Sequence, residues 1–207
     1  MSPACRPPAP KSLEELQELV RARQSAVTEA TTLKNQLAAA ESTFLKRQLE
    51  RRIARLTADI KAIEREVLRR IRADDRLAER YRILTSIPGF GQVVATTLIA
   101  CLAELGSLTL KQVALLAGLA PIADDSGQRQ GKRVIFGGRA AVRQVVYLAA
   151  LTASRSNPDM ASFFRRLIDS GKPAKTALIA VARKLVVLAN TLIAQNRTWQ
   201  PVAPKHS

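Results

Sequence analysis

The chain has a single histidine, two cysteines and few aromatic residues, 4% of the total. His206 and Cys5 lie near opposite ends, while Cys101 sits in an apolar stretch. Residues so scattered exclude a zinc site and a disulfide framework, which fits a reducing cytoplasm. With the one imidazole in the tail, activation of a nucleophile by histidine is not expected either. Cys101 reads as a small buried hydrophobe. Neither GxxxxGK[ST] nor a dinucleotide fingerprint occurs, so nucleotide-dependent chemistry has no support. Long hydrophobic runs are lacking too. The nearest membrane-span candidate, Ala174 to Ala194, is interrupted by Arg183 and Lys184, so no membrane partner is expected. Met1 is followed by Pro3, Pro7, Pro8 and Pro10 rather than an apolar core, which excludes a signal peptide.

What is abundant is positive charge. Lys and Arg number 33 against 17 acidic residues, a net +16. A surplus of that size points to a polyanion, nucleic acid before a membrane surface. From Asp125 to Asp159 no acidic residue intervenes, while Arg129, Lys132, Arg133, Arg139, Arg143 and Arg155 are all cationic. Ser126 opens this stretch, preceded by Asp124 and Asp125 and followed by Gly127. A hydroxyl on a cation-lined loop is what a phosphodiester meets in a strand-cutting protein. The alternative is a turn serine on a solvated basic loop, since Ser and Gly are default turn residues.

Hydrophobic residues make up 47% of the 207. Ala and Leu dominate them, which favours packed helices and an all-α fold. Residues 1–11 read as a disordered leader. Ser12 is the expected N-cap of the first helix, with Glu14 and Glu15 in its first turn. Leu16, Val20, Val27, Ala30 and Leu37 form a rough stripe. Leu49, Ile53, Leu56, Ile60, Ile63 and Val67 form a cleaner heptad seam. The two stripes fall out of phase around Ala38 to Phe44, so residues 12–80 form a coiled-coil arm. It is either a hairpin or a broken helix pairing with a second subunit, and the regular seam favours a homo-oligomer. Its outer face leans basic through Arg47, Arg51, Arg52, Arg55, Arg69, Arg70 and Arg72, as a solvated face or a phosphate-contacting one.

Residues 81–198 are expected to form a compact helical domain, followed by a frayed tail over 199–207. It begins with a short helix, the turn Pro88-Gly89-Phe90-Gly91, and an apolar helix from about Gln92. This pattern looks like a helix-hairpin-helix motif, in which Gly89, Phe90 and Gly91 would offer backbone N–H groups to a phosphate without reading bases. A purely structural hairpin is the competing reading. Further helices are expected over Leu108–Leu119, entered through Ser107 or Thr109, and over Arg139–Ala153, Pro158–Asp169 and Ala174–Asn196. Val134-Ile135-Phe136 could form a short strand.

Four segments carry a resemblance: IPGFG at 87–91, ALLAGLAPIADDSGQRQGKR at 114–133, FGGRAAVRQVVYLAALTASRSNP at 136–158 and GKPAKTALIAVARKLVVLAN at 171–190. From about Arg21 to Trp199 the chain resembles the C-terminal half of bacterial insertion-sequence transposases whose N-terminal half is a RuvC-like DEDD nuclease domain. These are recombinases guided by a bridge RNA. The resemblance implies that Ser126 attacks a DNA phosphate and forms a covalent phosphoserine link. It implies DNA and guide RNA as partners and a bacterial, nucleoid-associated cytoplasmic location. Arg129, Lys132, Arg133 and Arg139 are candidates to balance charge at phosphorus, and Arg143 to hold the backbone. Asp124 or Asp125 would orient Ser126, serve as base or cap a turn. Magnesium is implied only through the RuvC-like domain; no metal or cofactor is expected in this chain. No four-acid RuvC-like set precedes the arm, so the expectation is a truncated remnant or a nuclease domain acting in trans. The alternative function is a non-catalytic dimeric nucleic-acid-binding protein.

Overall fold

The computed structural model describes residues 11–120 and 138–201. Among these residues the protein is all-α, with eight helices in two compact units that divide between Asp74 and Asp75.

The first unit is a helical hairpin of α1 (Lys11–Ala39) and α2 (Thr43–Arg72). The reversal falls at residues 40–42, where the two apolar stripes lose phase. Ser42 caps α2, its side chain accepting from Leu45 N–H at 3.5 Å. Helix α1 already begins at Lys11, which places Ser12 inside the first turn instead of at the cap. Leu16, Val20, Ala30 and Leu33 of α1 and Leu49, Val67 and Ile71 of α2 are buried. Ion pairs fix the antiparallel register. Glu15 meets Arg70, Arg23 meets Glu64 at 2.7 Å, and Glu29 meets Arg52 at 3.6 Å, so partner numbers fall along α2 as they rise along α1. Two helices cannot enclose a full seam, and Ile53, Leu56, Ile60 and Ile63 stay half-buried.

The second unit holds α3 (Asp75–Thr85), α4 (Gln92–Cys101), α5 (Leu110–Leu116), α6 (Ala140–Ser156), α7 (Pro158–Asp169) and α8 (Ala174–Ala194). Helix α8 is the axis, packing against α3, α5, α6 and α7. By length and composition it could cross a membrane, yet here Ala177, Val181, Leu185, Ala189 and Leu192 are buried at helical spacing, and Arg183 and Lys184 face outward. Burying a leucine such as Leu185 contributes about 1.5–3 kcal/mol. Helix α4, buried from Val94 to Ala100, packs on α3 and α6.

Loop chemistry explains where the helices stop. Thr109 is the N-cap of α5 and completes a capping box with Gln112, so the helix starts later than the hydrophobic pattern alone suggests. It ends early because Gly118 turns the chain at φ +65°. Asn157 caps α7, its Oδ1 accepting from Asp159 N–H at 3.1 Å and Met160 N–H at 3.2 Å, with Pro158 in the first turn. The residues beyond α8 are tied down at their start, where Trp199 N–H donates to Ser86 Oγ at 2.8 Å. Fraying therefore does not begin at Trp199.

Candidate functional site

Six residues link α3 to α4 and form the hairpin anticipated at Pro88–Gly91. Gly89 has φ +99°, and a Cβ there would stand 2.7 Å from the Ala153 Cβ of α6. Glycine is thus required twice, for the left-handed turn and for the close approach to α6. Asn157 holds the same junction, its Nδ2 donating to Pro88 O at 3.5 Å. Phe90 is only 5% exposed and its N–H donates to Ile87 O at 2.9 Å. It packs the hairpin as a core residue, and its N–H is already engaged. Gly91 is exposed with open space beside it, and it is the N-cap of α4 with no side-chain cap. The α4 N-terminus is therefore presented without a side chain to shield its first N–H groups.

Arg139 lies at the other end of α4. Its guanidinium makes a two-pronged pair with Glu104, 2.7 Å on each arm, and Nη1 also donates to Cys101 O at 2.8 Å. Hydrogen bonding to Glu104 holds the arginine above its usual pKa and keeps it charged. Arg139 thus closes the C-terminal end of α4, where its charge complements the helix dipole. Arg143, one turn further along α6, is half-buried and partnered. Helices α4 and α6 run antiparallel, with Gly89 against Ala153 at one end and Arg139 against Cys101 at the other. About 20 Å of α6 separates the hairpin contact from Arg139. The structure does not bring the hairpin and Arg139 together.

Ser126, Asp124, Asp125, Arg129, Lys132 and Arg133 lie outside the described residues, as does Val134–Phe136. Near the two borders of that segment, the end of α5 meets the start of α6. Gly138, at φ +67°, is so close to Gly118 that a Cβ would lie 2.4 Å from Gly118 N. Arg139 N–H donates to Leu116 O at 2.8 Å. The end of α5 and the start of α6 thus meet next to the Arg139–Glu104 pair.

Three structural residues escaped sequence reasoning. Asn190 is 4% exposed; its Oδ1 accepts from Gly106 N–H at 2.7 Å and its Nδ2 donates to Leu108 O at 2.8 Å, pinning the α4–α5 loop to α8. Arg80 Nη2 donates to Ala103 O at 3.1 Å and to Leu105 O, and burial pushes its pKa down. Glu104 serves Arg139. An isolated polar residue inside the apolar pattern of α8 was the one signal available for Asn190. Cys101, expected to be buried, is half-buried at the end of α4.

The chain is 27% identical over 162 residues to the pilin gene-inverting protein of Moraxella bovis, covering 76% of this chain and 50% of that protein. It is 29% identical over 161 residues to an insertion element IS900 42 kDa protein of Mycobacterium paratuberculosis, covering 72% and 39%. An insertion element IS116 44.8 kDa protein of Streptomyces clavuligerus is 28% identical over 160 residues, covering 75% and 39%. The chain spans half or less of the length of these relatives. From α3 into α7, residues 81–165 match the model of the Transposase IS116/IS110/IS902 family.

Proposed function

We propose that this chain is the serine-bearing part of an insertion-sequence transposase that cuts and rejoins DNA. The observation that carries the reading is the transposase match over residues 81–165, which encloses both the PGFG hairpin and Ser126. Ser126 Oγ would attack a DNA phosphorus, forming a phosphoserine bond as the P–O bond to the departing strand breaks. The serine proton passes to a base, with Asp124 or Asp125 as candidates, and the departing oxygen ends as a hydroxyl. Attack by a second strand's hydroxyl reverses these steps and rejoins the DNA. Arg129, Lys132 and Arg133 are the cations assigned to charge at phosphorus. Arg139 is committed to Glu104 and Cys101 O, so its part is to join the start of α6 to the end of α4. The uncapped α4 N-terminus at Gly91 would grip backbone about 20 Å from that junction.

The reading includes a guide RNA and a RuvC-like nuclease domain that supplies magnesium. Among the described residues no three ligating side chains come together to hold a metal ion, so no step is assigned to one here. It also includes a homo-oligomer, favoured by the half-buried Ile53, Leu56, Ile60 and Ile63 along the hairpin arm. The test is a covalent-adduct assay with the chain, a RuvC-like domain in trans, guide RNA, magnesium and labelled nicked DNA, resolved on a denaturing gel. A labelled protein band that disappears in Ser126→Ala supports the nucleophile. A band that persists in Ser126→Ala refutes it. Absence of any band, with salt-sensitive DNA binding retained, supports a non-catalytic binding protein instead.

A further inference from the structure

The hairpin arm is electrically lopsided. Helix α1 carries four cations and four acids, whereas α2 carries ten cations against four acids. The structure sorts the α2 cations by use. Arg52 reaches Glu29 at 3.6 Å, Arg55 lies 3.3 Å from Asp59, Arg69 pairs with Glu66 at 2.8 Å, and Arg70 binds Glu15 and Glu66. By contrast, Arg47, Arg51, Lys61, Arg65 and Arg72 are exposed and form no ion pair among the described residues.

These five share one face. At about 100° per residue, they and Arg69 fall within about 40° of a single line along α2. That line runs opposite the Leu49–Val67 seam, pointing away from α1. No acidic residue of α2 falls in the same arc, and the apolar side chains inside it are those of Ala54 and Ala58. From Arg47 to Arg72 the line extends about 37 Å. At its C-terminal end Arg65, Leu68, Arg69, Arg72 and Ala73 line a shallow groove of about 490 Å³.

A merely solvated face would interleave acids, because like charges at i,i+4 cost about 0.2–0.5 kcal/mol per pair. Here 47/51 and 61/65 repeat the same sign between cations without an ion pair, and 65/69 repeats it although Glu66 partly offsets Arg69. The helix dipole accounts for cations in the last turn, but not for Arg47, Arg51, Lys61 or Arg65. The self-repulsion is relieved by a linear polyanion laid along the row. Five of the six side chains are arginines, whose planar fork suits phosphate oxygens. Within the arc there is no large apolar side chain to insert among lipids. We propose that this outward face of α2 docks the phosphodiester backbone of a nucleic-acid duplex, an inference independent of the role assigned to Ser126.

The test uses the full chain and labelled DNA and RNA duplexes of about 30 base pairs, with affinity followed from about 50 to 200 mM salt. The variant R47Q/R51Q/K61Q/R65Q/R72Q should lower the magnitude of the log–log salt slope by about 4–5, at 0.9 per lost contact. The pair R47Q/R51Q alone should lower it by about 2. An equal-charge control on the same hairpin, R21Q/K34Q/K46Q/R52Q/R55Q, should change it by less than half as much. Circular dichroism establishes that helix content is kept. Loss on DNA, on RNA or on both supports the surface and identifies its ligand. The inference is overturned by a five-site variant that keeps the wild-type slope, by a control that loses as much, or by wild-type protein that binds neither duplex.

Discussion

Gly138→Ala puts a methyl group where the backbone of the preceding turn already stands. The new Cβ would lie 2.4 Å from Gly118 N, 2.5 Å from Gly118 Cα and 2.8 Å from Leu115 O. All three are backbone atoms, so relief requires the turn itself to shift, at about 1–3 kcal/mol for overpacking. The left-handed φ of +67° adds about 1 kcal/mol for any residue with a Cβ. Gly171 separates the two effects, since it has φ +78° and nothing within 4 Å of its Cβ position. Gly171→Ala should therefore cost about 1 kcal/mol, and Gly138→Ala about 2–4 kcal/mol. Urea denaturation of both variants, with the slope checked for constancy, measures the difference. Equal losses for the two variants would show that the Gly118–Gly138 contact is not a tight one.

Other expectations follow from the same geometry. Asn190→Ala should cost about 2–4 kcal/mol in thermal or urea unfolding, because Gly106 N–H and Leu108 C=O both lose their partner. Removing one partner of the Arg139–Glu104 pair should cost about 2 kcal/mol, and a double-mutant cycle with Arg139→Met and Glu104→Gln should show coupling above about 1 kcal/mol. Gly91→Ser should stabilise α4 by only about 0.2–0.4 kcal/mol, since glycine is itself a tolerated N-cap. Gly91→Asp should stabilise it similarly while weakening DNA binding, a split readable by melting and by fluorescence anisotropy. Glu66 accepts hydrogen bonds from Arg69 and Arg70, which lower its pKa to about 2 from 4.5. Its folded pKa is depressed, so its contribution is present above about pH 4.5 and is lost as pH falls toward 2. Circular dichroism at 222 nm across that window should show the hairpin weakening, with a smaller change in Glu66→Gln.

The sequence revealed what depends on neighbours in the chain. The heptad seam of α2, the reversal near residue 40, the Pro-Gly turn before α4 and the Asn-Pro start of α7 are local patterns with local causes. Pairings across the fold were not legible. Glu104 and Arg139 are 35 residues apart in sequence, and each reads as an ordinary surface charge until α4 and α6 are laid antiparallel. Gly89, Phe90 and Gly91 read alike as backbone donors to a phosphate, but the Phe90 N–H is engaged by Ile87 O and its side chain is buried. Among seven arginines that looked alike on the arm, only pairing distances separate Arg47, Arg51 and Arg72 from the rest. Lys61 and Arg65 join them by position on the helix. The Ser126 segment was singled out by composition and lies outside the described residues.

The junction of α5 with α6 has a consequence for which changes the helical unit tolerates. Gly118 against Gly138, Leu116 with Arg139 and Arg139 with Glu104 tie the end of α5, the start of α6 and the end of α4 together at one place. Each contact reaches a different helix, so a change at one position is felt in the seating of the others. Such a node is expected to vary as a set, because replacing Glu104 alone leaves the half-buried Arg139 charge without its partner.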